Sequence, residues 1–260
     1  MNGKDLTRLV VVMGSLTLVV ALVVFVDAVG LTPAHGDEGR LRVCTANIQN
    51  TPDMPDHQVR EDVRTAARSC DLVLWQEIGE RSDYRAVREA LGRPWATTRR
   101  TAGGVPISWR TARLRGAGEP EALRVSDPTP RCPDGSPSYN PARWVTLAPL
   151  QLRDTGQRFT ALSLHYPQRN GCRREHRADR WRQAWTTTRE HLPAGPLVIG
   201  GDWNRREPEI PAMTRWHWTT PAPRALDHIA VARTGWRVTH KFTRRLNSDH
   251  SLRGTVLNTR

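Results

Sequence analysis

The stretch Pro196-Leu197-Val198-Ile199-Gly200-Gly201-Asp202-Trp203-Asn204 decides how this chain is read. Its opening residues form a short, largely β-branched apolar run with the character of a buried strand. Two glycines are expected to end that strand and let the backbone turn sharply. Asp202 and Asn204 then stand at the strand's C-terminal mouth, where an open α/β sheet places its ligands. They are two residues apart, so in extended geometry both side chains point the same way. An acid beside an amide suits a phosphate, a metal ion or an attacking water. The same two residue types also form turns, so the assignment rests on the rest of the chain.

Upstream, strands and helices alternate. Residues 41–48 read as a first strand ending in Thr45-Ala46-Asn47. Residues 55–69 read as a helix with Val59, Val63, Ala66 and Ala67 on one face. Residues 71–75 form a second apolar strand running into Gln76-Glu77. Residues 81–91 give another helix, with Tyr84, Val87, Ala90 and Leu91 inward and Gly92 as its stop. Residues 96–109 and 112–123 hold short strand-like pieces broken by glycines, which predicts antiparallel hairpins. Residues 126–141 read as a Pro/Ser/Gly loop around Cys132. Residues 143–152 and 157–164 alternate about a turn at Asp154-Thr155-Gly156, and the second ends in Ser163-Leu164-His165. Residues 174–192 are the longest helix.

Downstream, residues 208–223 are a Trp- and Pro-rich connection. Residues 224–231 form a strand carrying Leu226-Asp227-His228-Ile229, and residues 236–242 form another. Asn247-Ser248-Asp249-His250-Ser251 precedes a closing strand over residues 252–257. No repeat of 20–50 residues is present.

The chain has 260 residues and a net charge of +13. Almost all the cations are arginine, since only Lys4 and Lys241 are lysines. Such a balance attracts polyanions, including nucleic acid, phospholipid heads and phosphorylated solutes. Scattered arginines also fit a codon bias. Residues 9–26 carry no charge; Lys4 and Arg8 precede them and Asp27, Asp37 and Glu38 follow. That order places the N-terminus in the cytoplasm and the remainder outside. The run exceeds the roughly 7–15 residues of a secretory core and suits a spanning helix of about 17–25. Residues 1–30 are therefore expected to be a signal peptide or signal anchor, 31–40 a linker and 41–260 one large domain. The protein is expected at the cell membrane with an extracellular domain, or secreted, and as a monomer.

Four cysteines suit an exported domain. Cys132 and Cys172 lie in polar loops and are expected to pair. Cys44 and Cys70 would be out of step by roughly 10 Å on parallel neighbouring strands, at about 3.3 Å per residue, and are expected to be buried thiols.

Acid, amide and imidazole groups recur at strand ends: Asn47, Glu77, His165, Asp202 with Asn204, Asp227, and Asp249 with His250. A sheet gathers such ends into one cleft. The ordered set Thr-Ala-Asn, Trp-Gln-Glu-Ile, Leu-Ser-Leu-His, Gly-Gly-Asp-Trp-Asn, Leu-Asp-His-Ile and Ser-Asp-His-Ser resembles the endonuclease/exonuclease/phosphatase family. The resemblance runs from about Leu41 to the C-terminus. It implies an α/β fold, a four-layer sandwich of two mixed sheets packed face to face with helices outside.

Phosphodiester hydrolysis needs an aligned water, neutralised phosphate oxygens and a stabilised leaving oxygen. Glu77 is the best candidate metal ligand, because a carboxylate suits Mg²⁺; Mn²⁺ and Ca²⁺ are alternatives. The resemblance implies that Asn47 and Asp249 complete the ligand set. It implies that Asp202 activates the water with Asn204 beside it, that His250 contacts the phosphate and that Asp227 fixes the His250 tautomer. His165 would supply a second imidazole. Arg143, Arg169 and His228 are weaker candidates for substrate contact, and both arginines also suit a surface. The leading expectation is an exported phosphodiesterase of the deoxyribonuclease I type acting on DNA. A phospholipid or inositol-phosphate hydrolase is the alternative, and a non-catalytic surface-anchored binding protein on the same fold is a third.

Overall fold

The computed structural model describes residues 38–48, 54–100, 103–168, 174–206, 217–218, 225–232 and 234–260. The apolar segment at residues 9–26, and the signal or anchor expected there, lie outside them. Among the described residues, no helix is long and apolar enough to cross a membrane.

One mixed sheet has the order β14-β15-β1-β2-β4-β3. Its strands are β1 (Arg40–Asn47), β2 (Leu72–Gln76), β3 (Trp95–Thr97), β4 (Ile107–Arg110), β14 (Trp236–Arg244) and β15 (Leu252–Thr259). Only β1 and β2 run parallel in it; the rest are antiparallel. The second has the order β12-β13-β11-β10-β9-β5, with β6 also on β9. It comprises β5 (Leu114–Gly116), β6 (Glu121–Ser126), β9 (Arg143–Leu152), β10 (Arg158–His165), β11 (Leu197–Asp202), β12 (His217–Trp218) and β13 (Asp227–Val231). Here β10 and β11 are the parallel pair. In each parallel pair one strand, β2 or β11, opens on a continuous apolar run and is buried along its whole length, as a strand covered on both faces must be.

Three apolar layers hold the sheets and helices together. Leu41, Val43, Leu72, Leu74, Ala161, Val198 and Val231 interdigitate between the two sheets. Alternate residues of β1 and β2, including Ala46, Val73 and Trp75, turn outward onto α1 (Asp56–Ser69) and α2 (Arg81–Leu91). Leu162, Leu164 and Ile199 turn the other way onto α3 (Arg174–Glu190) through Trp181, Ala184 and Trp185. The result is the expected α/β fold, with mixed sheets face to face and helices on the outer faces.

Three local expectations are corrected. Gly200 and Gly201 do not end their strand; β11 runs on to Asp202. They are there for close approach. A Cβ on Gly200 would stand 2.6 Å from Leu74 Cδ1 of the opposing sheet, and one on Gly201 would stand 1.9 Å from the Leu164 carbonyl oxygen. The loop over residues 126–141 contains a small ribbon, β7 (Thr129–Arg131) against β8 (Pro137–Asn140). Cys44 and Cys70 form a disulfide, with 6.0 Å between their Cα atoms. Cys70 is not on a strand, so the offset expected between parallel strands does not apply. It caps the C-terminus of α1, above the outer sheet face toward which Cys44 points. Cys132 is also disulfide-bonded, while Cys172 lies outside the described residues.

Candidate active site

Strand register builds the site. In the second sheet His165 lies opposite Asp202, and Asp202 lies opposite Asp227, so three adjacent strands present one transverse row. In the first sheet Asn47 lies opposite Gln76, which puts Glu77 one residue beyond the end of β2. The rows meet where the sheets pack. Asn47 Nδ2 donates to Glu77 Oε1 at 3.0 Å and to Asp202 Oδ2 at 3.2 Å, joining the two sheets through buried polar groups. Gln76 Nε2 donates to Ser163 Oγ at 3.2 Å, and Ser163 Oγ donates to the Trp75 carbonyl at 2.8 Å.

Two residues here have positive φ without being glycine: Glu77 at 65° and Asn204 at 50°. Asparagine tolerates that region; glutamate does so less readily, so surrounding contacts must hold Glu77 there. Ile78 supplies one, its amide donating to the Gly104 carbonyl at 2.9 Å. Asn204 is fixed twice. Its backbone amide donates to Asp202 Oδ1 at 2.8 Å and its Nδ2 to the Tyr166 carbonyl at 2.9 Å. Trp203, between them, points the other way into the α3 layer, where its indole donates to the His228 carbonyl at 3.1 Å.

The imidazoles are in opposite electrostatic settings. His250 Nδ1 lies 2.8 Å from Asp227 Oδ2, and its Nε2 lies 3.8 Å from Asp249 Oδ1. Burial opposes its charge, but the hydrogen bond and charge of Asp227, aided by Asp202 and Asp249, outweigh burial and lift its pKa to about 9. His250 therefore carries both protons at neutral pH, with Nε2–H left for a ligand. His165 is buried, and burial together with the nearby charges of Arg143 and His250 holds its pKa well below the usual value. It is neutral, and its Nε2 has no hydrogen-bond partner, standing 3.6 Å from Asp202 Oδ2 and 3.9 Å from Glu77 Oε1. Burial, then repulsion from Asp227, raises Asp202 to about 7, against the pull of His250 and its hydrogen bonds.

All eight expected site residues thus converge on one locus. Asp249 is its exposed member, with 64% of its side chain accessible. The weaker candidates divide. Arg143 is buried rather than at the surface, coupled electrostatically to Asp202 and Glu77, and its Nε has no partner. His228 faces away, its Nε2 2.8 Å from the Arg205 carbonyl. Arg169 lies outside the described residues. One residue was missed in the sequence. Asp62 of α1 is buried and accepts from the backbone amides of Asn247 and Ser248 at 2.8 and 3.1 Å, pinning the loop that carries Asp249 and His250. Its signal was available: an acid beside Val63 on the apolar face of a helix.

The donor set can be tested for a metal. Asn47, Glu77 and Asp249 offer amide and carboxylate oxygens, which hard divalent cations take. Asn47 Oδ1 is buried without a hydrogen-bond partner. The site has four carboxylates facing two cationic groups, Arg143 and His250, so a cation is needed before an anionic substrate is favoured. Ligand atoms of Asp202, Asp227 and His250 also lie within 4.8 Å of one another. That second cluster fits a hard cation less well, because one of its three donors is an imidazole nitrogen rather than an oxygen. The Asn47 and Glu77 side fits the ion.

The sequence model of the endonuclease/exonuclease/phosphatase family matches residues 44–250, from the first strand through His250. The chain belongs to that family. Family enzymes generally hydrolyse phosphoester bonds and typically depend on a divalent metal. No curated protein sequence matches this chain. Among solved structures, an endonuclease/exonuclease/phosphatase from Bacteroides vulgatus is similar at 17% identity and a TM-score of 0.66, over 85% of this chain and 99% of that one. D. rerio TDP2, complexed with a single-strand DNA product, is similar at 14% identity and a TM-score of 0.65, over 85% and 100%. A Bacteroides thetaiotaomicron mannosyl-6-phosphatase is similar at 13% identity and a TM-score of 0.57, over 85% and 99%. At these identities the likeness is one of fold, which this family member shares across proteins of different substrates.

Proposed function

We propose that this protein is an exported, divalent-metal-dependent phosphodiesterase that cleaves DNA. The observation that carries the proposal is the pairing of a proton-bearing His250, backed by Asp227, with the buried Asp202 carboxylate. A phosphodiester held between them meets a proton donor on one side and a proton acceptor on the other. Asp202 Oδ1 is anchored by the Asn204 amide; Oδ2 accepts from Asn47 Nδ2 and keeps a second lone pair to orient and deprotonate the attacking water. His250 Nε2–H contacts a phosphate oxygen, and Asp227 holds it in place. Neutral His165 and charged Arg143 flank the same position. The cation, held by Asn47, Glu77 and Asp249, would neutralise phosphate charge. Mg²⁺ is the proposed ion on donor chemistry alone.

DNA is favoured by the basic balance of the chain and by the likeness in fold to a protein seen with a single-strand DNA product. Export is proposed from the uncharged run at residues 9–26, with the domain beginning near residue 41 and acting as a monomer. The test is a substrate panel of plasmid, RNA, sphingomyelin vesicles and inositol phosphates, with Mg²⁺ and with EDTA. Mg²⁺-dependent nicking is expected. Release of head groups or inorganic phosphate without nicking would transfer the reading to a lipid or inositol-phosphate hydrolase. Fractionation of expressing cells tests export, with the domain expected outside the cytoplasmic membrane.

A further inference from the structure

Helix α2 begins four residues after Glu77 and carries an arginine stripe. Arg81, Arg85 and Arg88 are spaced i, i+4, i+7, so they stand on one face, about 6 Å and about 4.5 Å apart along the axis. With Arg93, just past the helix, and the rings of Tyr84 and Trp95, they line a pocket of about 560 Å³. Like charges at these spacings repel one another. All four arginines are exposed and none makes an ion pair among the described residues. The one carboxylate in the lining, Glu89, is taken from the other side by Arg60 of α1, at 2.9 Å. Arg88 lies 5.9 Å from the centre of the Tyr84 ring, so a cation and a ring adjoin within the pocket.

We infer that this pocket is a second binding site, separate from the hydrolytic centre, for single-stranded nucleic acid. Its cations take consecutive phosphates and its rings take bases, the combination by which single strands are held. A concave pocket with aromatic walls suits a strand better than a flat lipid surface. Four residues of chain reach at most about 14 Å, so Arg81 begins the track within that distance of Glu77. A strand in the pocket would be continuous with one at the catalytic centre. That continuity rests on the phosphodiesterase reading; binding in the pocket does not.

The experiment measures binding of a labelled single-stranded oligonucleotide to the full chain in EDTA, across a salt series. The variant Arg85→Ala/Arg88→Ala/Arg93→Ala is compared with Arg64→Ala/Arg68→Ala on α1, exposed arginines outside the pocket. The first is expected to weaken binding at least tenfold and to flatten the slope of log K against log salt by about 2, for three lost contacts at about 0.7 each. The second is expected to leave both close to wild type. Equal losses in the two variants, or none in the first, would overturn the site. So would loss of binding to phosphatidylserine vesicles with oligonucleotide binding intact. Because turnover is blocked throughout, absence of nuclease activity in the earlier panel leaves this result independent.

Discussion

Asp62, in the first helix, accepts a hydrogen bond from the backbone amide of Ser248 at 3.1 Å, across 186 residues of sequence. Its other oxygen takes the Asn247 amide and side chain, at 2.8 and 2.9 Å. One buried carboxylate thereby fixes the loop that presents Asp249 and His250. Replacing Asp62 with Ala strands two backbone donors, at about 1–3 kcal/mol each. Turnover should fall at least tenfold at temperatures where circular dichroism still reports a folded chain. Unchanged turnover with a lowered melting temperature would confine Asp62 to stability.

His250 gives an alkaline signature. Its folded pKa, about 9, lies above the unfolded value of about 6.5. The associated stability is fully present below pH 6.5 and is lost as pH rises through about 9. Asp227→Asn removes the group that holds the proton. The His250 resonance should then titrate at least one pH unit lower, and the alkaline limb of the rate profile should move with it.

Asp202 works in the opposite sense to most carboxylates. Its folded pKa, about 7, is raised by burial and by Asp227, so the folded state binds the proton more tightly than the unfolded one. Stability from this group is greatest below about pH 4 and is lost as pH rises through about 7. Asp202→Asn should abolish turnover yet raise the melting temperature of metal-free protein at pH 8. That gain should shrink at pH 5, where wild-type Asp202 is already protonated.

Glu77→Gln should weaken divalent-ion binding by at least tenfold in titration calorimetry, since it removes one of the two carboxylates of the donor set, leaving Asp249. His228→Ala, which faces the Arg205 carbonyl rather than the site, should leave that affinity unchanged.

The disulfide between Cys44 and Cys70 closes a separation of 26 residues. Replacing both with Ala should cost about 3.5 kcal/mol in denaturant unfolding, the loop-closure entropy of a ring of that size.

The sequence by itself determined the long elements, though not the ribbon of β7 and β8 or the true end of β11. Apolar runs, helical faces and glycine stops located β1, β2, α1 and α2 to within a residue or two, because these signals act along the chain. It also carried the chemistry at each strand end, since residue type and order are local facts. What only the tertiary structure decided was distance. The row of His165, Asp202 and Asp227 comes from strand register, and its meeting with Asn47 comes from sheets drawn together over Gly200. Asp62, the burial of Arg143 and the pairing of Cys44 with Cys70 escaped for the same reason. Each depends on one layer being laid over another, and a chain read one residue at a time has no measure of the gap between layers.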